Sequence, residues 1–308
     1  MKRKVVIAGG SGLLGQSLSE VLINQGYEVV ILTRGKEKVE NGKSYVHWDS
    51  QTVGDWAKEL DGSHALVNFT GRSINCIYTK KNKHDIVHSR VDSVRALWEA
   101  LHQTKNPPQA FINAGALAIY GNTTEKCDEN APHGSGFSAD VCKMWEEAFY
   151  KESHSSIRQV LFRIGIVLTP ENGALEPLKK LVTFNLGGTV GSGKQYFSWI
   201  HIDDMNEMII RAIENETMQG TYNAATPEAP TNKQFMKTMR KVMDKGWAPK
   251  TPTPFVWLGA YLFMRTEPEI VLEGRFGYPK KLLDEGFEFK FPQLEQALED
   301  LIYGIAKQ

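Results

Sequence analysis

Cysteine is scarce in this 308-residue chain, with Cys76, Cys127 and Cys142 the only three. An odd number without C-x-x-C spacing excludes a disulfide framework and a zinc site, and it fits reduced thiols in a cytoplasmic protein. Net charge is missing too. Thirty-six Lys and Arg balance 36 Asp and Glu, so no overall field steers the chain onto nucleic acid or an anionic membrane. The expected partners are a small molecule or another subunit, as in a homodimer. Long apolar runs are absent: FVWLGAYLFM at 255 to 264 is about half of the roughly 20 residues that span a bilayer, and it predicts a buried helix instead. The opening MKRKVVIAGG has too short an apolar stretch before its glycines for an export signal and reads as a strand. No internal repeat or low-complexity tract is present.

What is present is a regular alternation. KVVIAG at 4 to 9 is a β-branched run ending in glycine. SLSEVLINQG then places Leu18, Val21 and Leu22 at helical spacing with Gly26 as the stop, and YEVVILTR forms a second strand. Strand-like runs recur at HALVNFTG (64 to 71), AFINAGALAIYG (110 to 121) and VLFRIGIVLT (160 to 169), with helical patterns such as SRVDSVRALWEALHQ and VCKMWEEAFYKES between them. This rhythm predicts an α/β protein of Rossmann type, a doubly wound parallel sheet covered on both faces. After about residue 170 it loosens through NLGGTVGSGK, TPEAPTN and KGWAPKTPTP. Residues 1–170 with about 198–226 are thus expected to form the nucleotide-binding domain, and about 171–197 with 227–308 a smaller C-terminal substrate or lid domain.

The first strand-to-helix turn carries the strongest chemistry. Gly9, Gly12 and Gly15 in GGSGLLG form G-x-x-G-x-x-G inside a βαβ unit. Gly9 permits the tight turn, Gly12 lets the backbone approach a pyrophosphate, and Gly15 lets helix and strand pack closely, while the helix N-terminus offers free amides. After the second strand, an NAD site wants an acidic residue for the ribose 2′-OH. Here the chain has Thr33 and Arg34, and a guanidinium suits a 2′-phosphate. NADP(H) is the expected cofactor.

A second glycine-rich stretch, GTVGSGKQ at 188 to 195, satisfies the P-loop pattern except at its last position, where Gln195 replaces the hydroxyl that would meet Mg²⁺. FNLGGTV before it is a poor strand and YFSWIHIDD after it looks extended. The expectation is a loop without triphosphate, available to face a second ligand.

Taken with NFTG at 68 to 71, KHDIVHSRVDS at 83 to 93, WEEA at 145 to 148, FRIGIVL at 162 to 168, GGTVGSGKQYFSWIHIDD at 187 to 204 and RFGYPKKLLDEGFEFKFP near the end, these stretches resemble atypical extended short-chain dehydrogenases of the NAD-dependent epimerase/dehydratase superfamily. The resemblance is to the bacterial "epimerase family protein" group with its C-terminal domain of unknown function, and it covers nearly the whole chain. It implies that Gly9, Ser11, Gly12, Leu13 and Leu14 line the pyrophosphate, that Thr33 and Arg34 meet the 2′-phosphate, and that Asn68, Thr70 and Gly71 lie on the adenosine ribose and phosphate side. It also implies Trp48 and Asp49 at the adenine rim.

The departures matter as much. Typical members use a Ser near the end of the fifth strand, and a Tyr followed four residues later by a Lys on one helical face. By the resemblance those positions fall on Gly115 or Ala116, on Ser138 and on Cys142. Tyr120 and His201 remain as candidate catalytic groups at sheet ends, although Asp203 and Asp204 read as caps of the following helix and a buried, hydrogen-bonded role suits His201 at least as well. Arg163 and Arg90 fit either an anion holder or an inter-element ion pair. Lys83, Lys143 and Lys194 read as solvated. Two function classes follow: an NADP(H)-dependent oxidoreductase or epimerase-like enzyme with a non-standard proton relay, and an NADP(H)-binding sensor with little chemistry.

Overall fold

The structure, a computed structural model, describes residues 3–261 and 265–304. Its first half alternates as the pattern predicts: β1 (Lys4–Ala8), α1 (Leu13–Asn24), β2 (Glu28–Thr33), β3 (Lys38–Glu40), β4 (Lys43–His47), β5 (Ala65–Asn68), α2 (Lys80–Gln103), β6 (Ala110–Ala116), β7 (Lys126–Cys127), α3 (Phe137–Lys151) and β8 (Arg158–Ile164). Then come β9 (Ile166–Leu168), α4 (Leu175–Thr183), β10 (Trp199–His201), α5 (Ile202–Glu214) and β11 (Gly220–Ala224). The remainder holds α6 (Asn232–Val242), α7 (Thr253–Gly259), α8 (Glu269–Leu272), β12 (Phe276–Gly277), α9 (Lys280–Asp284) and α10 (Leu294–Tyr303).

Eight strands form one sheet in the order β11-β8-β6-β5-β1-β2-β4-β3. All pairs are parallel except β3 on β4. Strands buried on both faces need apolar residues at every position, and Val5, Val6, Ile7 and Ala8 of β1 are all fully buried. On one face Leu18 and Leu22 of α1 and Met205, Met208 and Ile209 of α5 close the core. The other face is closed by Leu97 and Trp98 of α2 and Trp145 and Phe149 of α3. From β1 the sheet grows on one side through β2, β4 and β3, and the chain then crosses back to add β5, β6, β8 and β11 on the other side. The carboxyl ends of β1, β2 and β5 therefore frame the crevice where such folds bind ligands.

The C-terminal part has a core of its own, in which Phe235 and Met239 of α6 pack with Trp199, Phe291 and Leu298. It also feeds the main core through Leu282 and Phe287.

Several expectations are corrected. The run 110 to 121 is strand only to Ala116, after which Leu117–Tyr120 forms a 3-10 turn. The run 160 to 169 breaks at Gly165, where a Cβ would lie 2.8 Å from the Ser198 carbonyl oxygen, so β9 departs to pair with β10. The apolar stretch 255 to 264 is not a buried helix where it is described. Only Val256 and Ala260 are buried, while Phe255, Trp257, Leu258 and Tyr261 are exposed; residues 262–264 lie outside the described residues. No described helix is long and apolar enough to cross a membrane.

Candidate functional site

A cleft of about 890 Å³ lies at the carboxyl ends of β1, β2 and β5. Its floor is the glycine turn. Gly9 has φ +71°, and a Cβ there would lie 2.9 Å from the Thr70 amide nitrogen. Gly15 is pressed on Gly10: a Cβ would meet its Cα at 2.3 Å. Gly12 differs, since its nearest neighbour would be the Gly9 carbonyl at 3.5 Å and the rest is open. Gly9 thus makes the turn and Gly15 the close packing, while Gly12 leaves its face open to the cleft.

Gly12 caps α1 without a side-chain bond. The amide of Gly12 is bonded to Gly9 and that of Gln16 to Gly12, which leaves the amides of Leu13, Leu14 and Gly15 aimed outward, as an anion requires. Leu13 and Leu14 can serve a pyrophosphate only through those amides, because the Leu14 side chain packs in the C-terminal core. The side chain of Gln16 donates to the Gly10 carbonyl at 2.7 Å and holds the turn in shape.

At the end of β2, the Thr33 hydroxyl reaches Ser11 Oγ at 3.2 Å and accepts the Gly35 amide. Arg34 stands exposed on the cleft wall with no hydrogen bond or ion pair to any described residue. Beyond it, Trp48 is buried against Trp56 and lines the cleft, but Asp49 does not. Its carboxylate is taken by Thr52 and the Gln51 amide, and Ser50 and Gln51 form the rim instead. Thr70 and Gly71 line the wall opposite. Asn68 stands behind them, fully buried: it donates to Asn113 at 2.8 Å and accepts the Thr70 amide at 2.9 Å, so it positions Thr70 rather than meeting a ligand.

The far wall was missed by sequence reasoning. It is the first half of α2, where His84 and His88 stack at 3.9 Å, His88 meets Asp92 at 3.0 Å, and Arg72 pairs with Asp85. The signal was available, since His84 and His88 are four apart and share one helical face.

Neither proposed catalytic group is free. Tyr120 is buried; its hydroxyl lies 2.8 Å from both the Asp128 carbonyl and Asn223 Oδ1, one of which takes its proton, and it accepts from Arg163 Nη1 at 2.9 Å. Burial pushes the phenol up to about 12 despite Arg163 beside it. Arg163 is in turn forked onto Glu146 by two bonds of 2.9 Å, an ion pair between two buried side chains. His201 is itself the N-cap of α5, a role expected of Asp203 or Asp204. Its Nδ1 accepts the Asp203 amide, Nε2 lies 3.3 Å from Asp300, and the ring stacks on Phe291 at 3.9 Å. Burial lowers its pKa, against the pull of Asp203 and Asp300. Asp204 instead accepts the Lys290 and Phe291 amides.

Of the positions that the resemblance gives to a Ser and a Lys, Gly115 and Cys142 are both buried. A Cβ on Gly115 would lie 2.9 Å from the end of the Leu161 side chain, which must shift before a serine fits. Cys142 is buried, which pushes its thiol up to about 12.

GTVGSGKQ is a loop with no helix after it, as expected, and it does not line the cleft. Its interior is filled by the protein: Asn232 accepts the Val190 amide, Gln195 donates to the Val190 carbonyl, and Gly188 lies against Pro249. Lys194→Ala should therefore leave NADPH affinity unchanged, and ATP with Mg²⁺ should not bind. Saturable ATP binding lost in that variant, measured by calorimetry, contradicts this.

Residues 5–225 match the family model described as NAD dependent epimerase/dehydratase family, and residues 252–301 match a domain of unknown function, DUF1731. The "Epimerase family protein YfhF" of Bacillus subtilis is 33% identical over 302 residues, covering 97% of each chain. A Staphylococcus saprophyticus relative, "Epimerase family protein SSP1921", is 31% identical over 306 residues, covering 97% of this chain and 99% of its own. Among solved structures, the human epimerase family protein SDR39U1 with NADPH superposes with a TM-score of 0.87 at 28% identity, covering 98% of this chain and all of the other.

Proposed function

The chain belongs to the NAD dependent epimerase/dehydratase family, and from that premise we propose that it binds NADP(H) and acts as an oxidoreductase or epimerase-like enzyme on a small molecule. Arg34 carries the cofactor choice. It is a cation with no hydrogen bond or ion pair to a described residue, at the end of the second strand, on the wall of a cleft whose floor offers three amides without a bond to a described residue. An acid that would repel a 2′-phosphate is missing there, and a guanidinium fork matches that group. The human relative with NADPH supports the same reading.

Within this arrangement the amides of Leu13 to Gly15 would hold the pyrophosphate, Ser11, Thr33 and Arg34 the 2′-phosphate, and Thr70 and Gly71 the ribose side, with Asn68 fixing Thr70. The nicotinamide, when bound, supplies hydride transfer, and the protein need only place it. The locked state of Tyr120 and His201, together with the burial of Cys142, favours a second reading: a cofactor-binding protein with weak chemistry that reports cofactor state.

Arg34→Ala should narrow the gap between NADPH and NADH affinities by about 1.5–3 kcal/mol, the range for a hydrogen bond to a charged group. Calorimetric titration of both cofactors reads this directly. An unchanged gap in the variant removes Arg34 from the site.

A further inference from the structure

The zero net charge of the chain conceals an uneven distribution. Residues 177–202 and 229–266 together carry ten Lys and Arg but one acid, Asp244. Five of these cations, Lys194, Lys233, Lys245, Lys250 and Arg265, are exposed and have no ion pair with any described residue. The same two segments hold eight of the fourteen large apolar side chains that stand exposed among the described residues, with Trp247 at 81%, Phe184 at 73% and Phe255 at 65% foremost.

The two segments form one surface. The Gly187 carbonyl accepts Arg240 Nη1 at 2.6 Å, and Thr251 exchanges backbone bonds with Thr189 and Gly191, both at 2.9 Å. A Cβ on Gly193 would lie 3.2 Å from that of Lys233. The apolar part centres on α7, which follows directly. There Val256 and Ala260 are buried, and at about 3.6 residues per turn Phe255, Trp257, Leu258 and Tyr261 fall on the opposite, exposed side. None of these residues lines the cleft.

Exposed apolar patches of this kind mark interaction sites, and the charge around this one selects the partner. Protein–protein interfaces are depleted in lysine, whereas this patch is set among unpaired lysines. A nucleic-acid strand gains from stacking on aromatic rings, but the leucines here offer it no ring face. An anionic lipid surface uses both components. Its headgroups attract Lys and Arg, and Trp, Tyr, Phe and Leu enter the boundary between headgroups and acyl chains.

We propose that the exposed side of α7, with the adjoining loops around Phe184 to Lys194 and Asp244 to Thr251, is a docking surface for an anionic membrane. The protein lies on the bilayer rather than crossing it: the α7 aromatics enter the headgroup boundary while Lys194, Lys245 and Lys250 meet the lipid phosphates and carboxylates. Zero net charge removes an overall field, not this local one. The docking surface goes beyond the cofactor reading and does not depend on it.

The test is sedimentation of the full chain with vesicles of equimolar phosphatidylcholine and phosphatidylserine, and with vesicles of phosphatidylcholine alone. The protein should pellet with the first, stay in solution with the second, and be released as salt rises. Phe255→Ser combined with Trp257→Ser should weaken vesicle binding by about ten- to a hundredfold. Lys245→Gln combined with Lys250→Gln should weaken it by about ten- to thirtyfold. All four side chains are exposed, so both variants should keep the parent's melting temperature. Failure to bind the anionic vesicles overturns the proposal, as does binding that neither variant weakens. A parent that is dimeric by light scattering, becomes monomeric in the Phe255–Trp257 variant and ignores vesicles gives the face to a second copy instead. Saturable binding of a uridine oligonucleotide in place of vesicles gives it to nucleic acid, which also overturns the proposal.

Discussion

Glu146→Ala should lower the unfolding free energy by about 3–5 kcal/mol, the largest single effect expected in this protein away from its backbone turns. Both partners of the Glu146–Arg163 pair are buried, and Arg163 also donates to Tyr120, the Glu129 carbonyl and His133. Burial alone would lower the Arg163 pKa, but the Glu146 carboxylate holds it above its ordinary value. Removing that carboxylate leaves a buried cation with only neutral acceptors. The double variant Glu146→Leu with Arg163→Met removes both charges and should lose much less, because apolar replacements of a buried pair are often nearly neutral. Denaturant unfolding of the three proteins distinguishes the cases. A single-variant loss below about 1 kcal/mol would mean that the pair is solvated and that Tyr120 is freer than its hydrogen bonds indicate.

The second large effect divides the glycines by duty. Gly15→Ala sets a methyl 2.3 to 2.7 Å from the Gly10 backbone, which has no flexible end to yield. It should cost about 1–3 kcal/mol of stability, as overpacking does, and distort the turn enough to abolish NADPH binding. Gly12→Ala meets only the Gly9 carbonyl at 3.5 Å. Its melting temperature should stay near the parent's while NADPH affinity falls by about ten- to a hundredfold, because the methyl projects where the pyrophosphate must approach. Thermal melts and calorimetry on the two variants read the contrast. Equal destabilisation, or full cofactor affinity in Gly12→Ala, would show that the open side of Gly12 is not the ligand's.

The geometry of these glycines was legible in the sequence because it is local: the spacing of Gly9, Gly12 and Gly15 between a strand and a helix already states a tight turn and a close packing contact. The placing of Thr33 and Arg34 at the end of one strand, on the cleft wall, was legible for the same reason. Tyr120 and His201 were not. Both were placed near sheet ends, but what disarms them comes from distant parts of the chain: Arg163 and Asn223 for the phenol, and Phe291 and Asp300 for the imidazole. Asn68 likewise looked like a ligand-facing residue until Asn113 claimed its amide from the next strand. The stretch at 255 to 264 failed differently. Its apolar content promised burial, but the Pro-bounded α7 turns only Val256 inward and leaves Phe255, Trp257 and Leu258 exposed. Periodicity tells which residues share a face, not whether anything covers it.

The most direct measurement of the central claim is a crystal structure of the protein grown with NADPH. The 2′-phosphate should lie within hydrogen-bonding distance of the Arg34 guanidinium and the pyrophosphate on the amides that follow Gly12, with no displacement of the Tyr120–Arg163–Glu146 network. A cofactor that binds with its 2′-phosphate away from Arg34, or a cleft still empty at saturating NADPH, would contradict it.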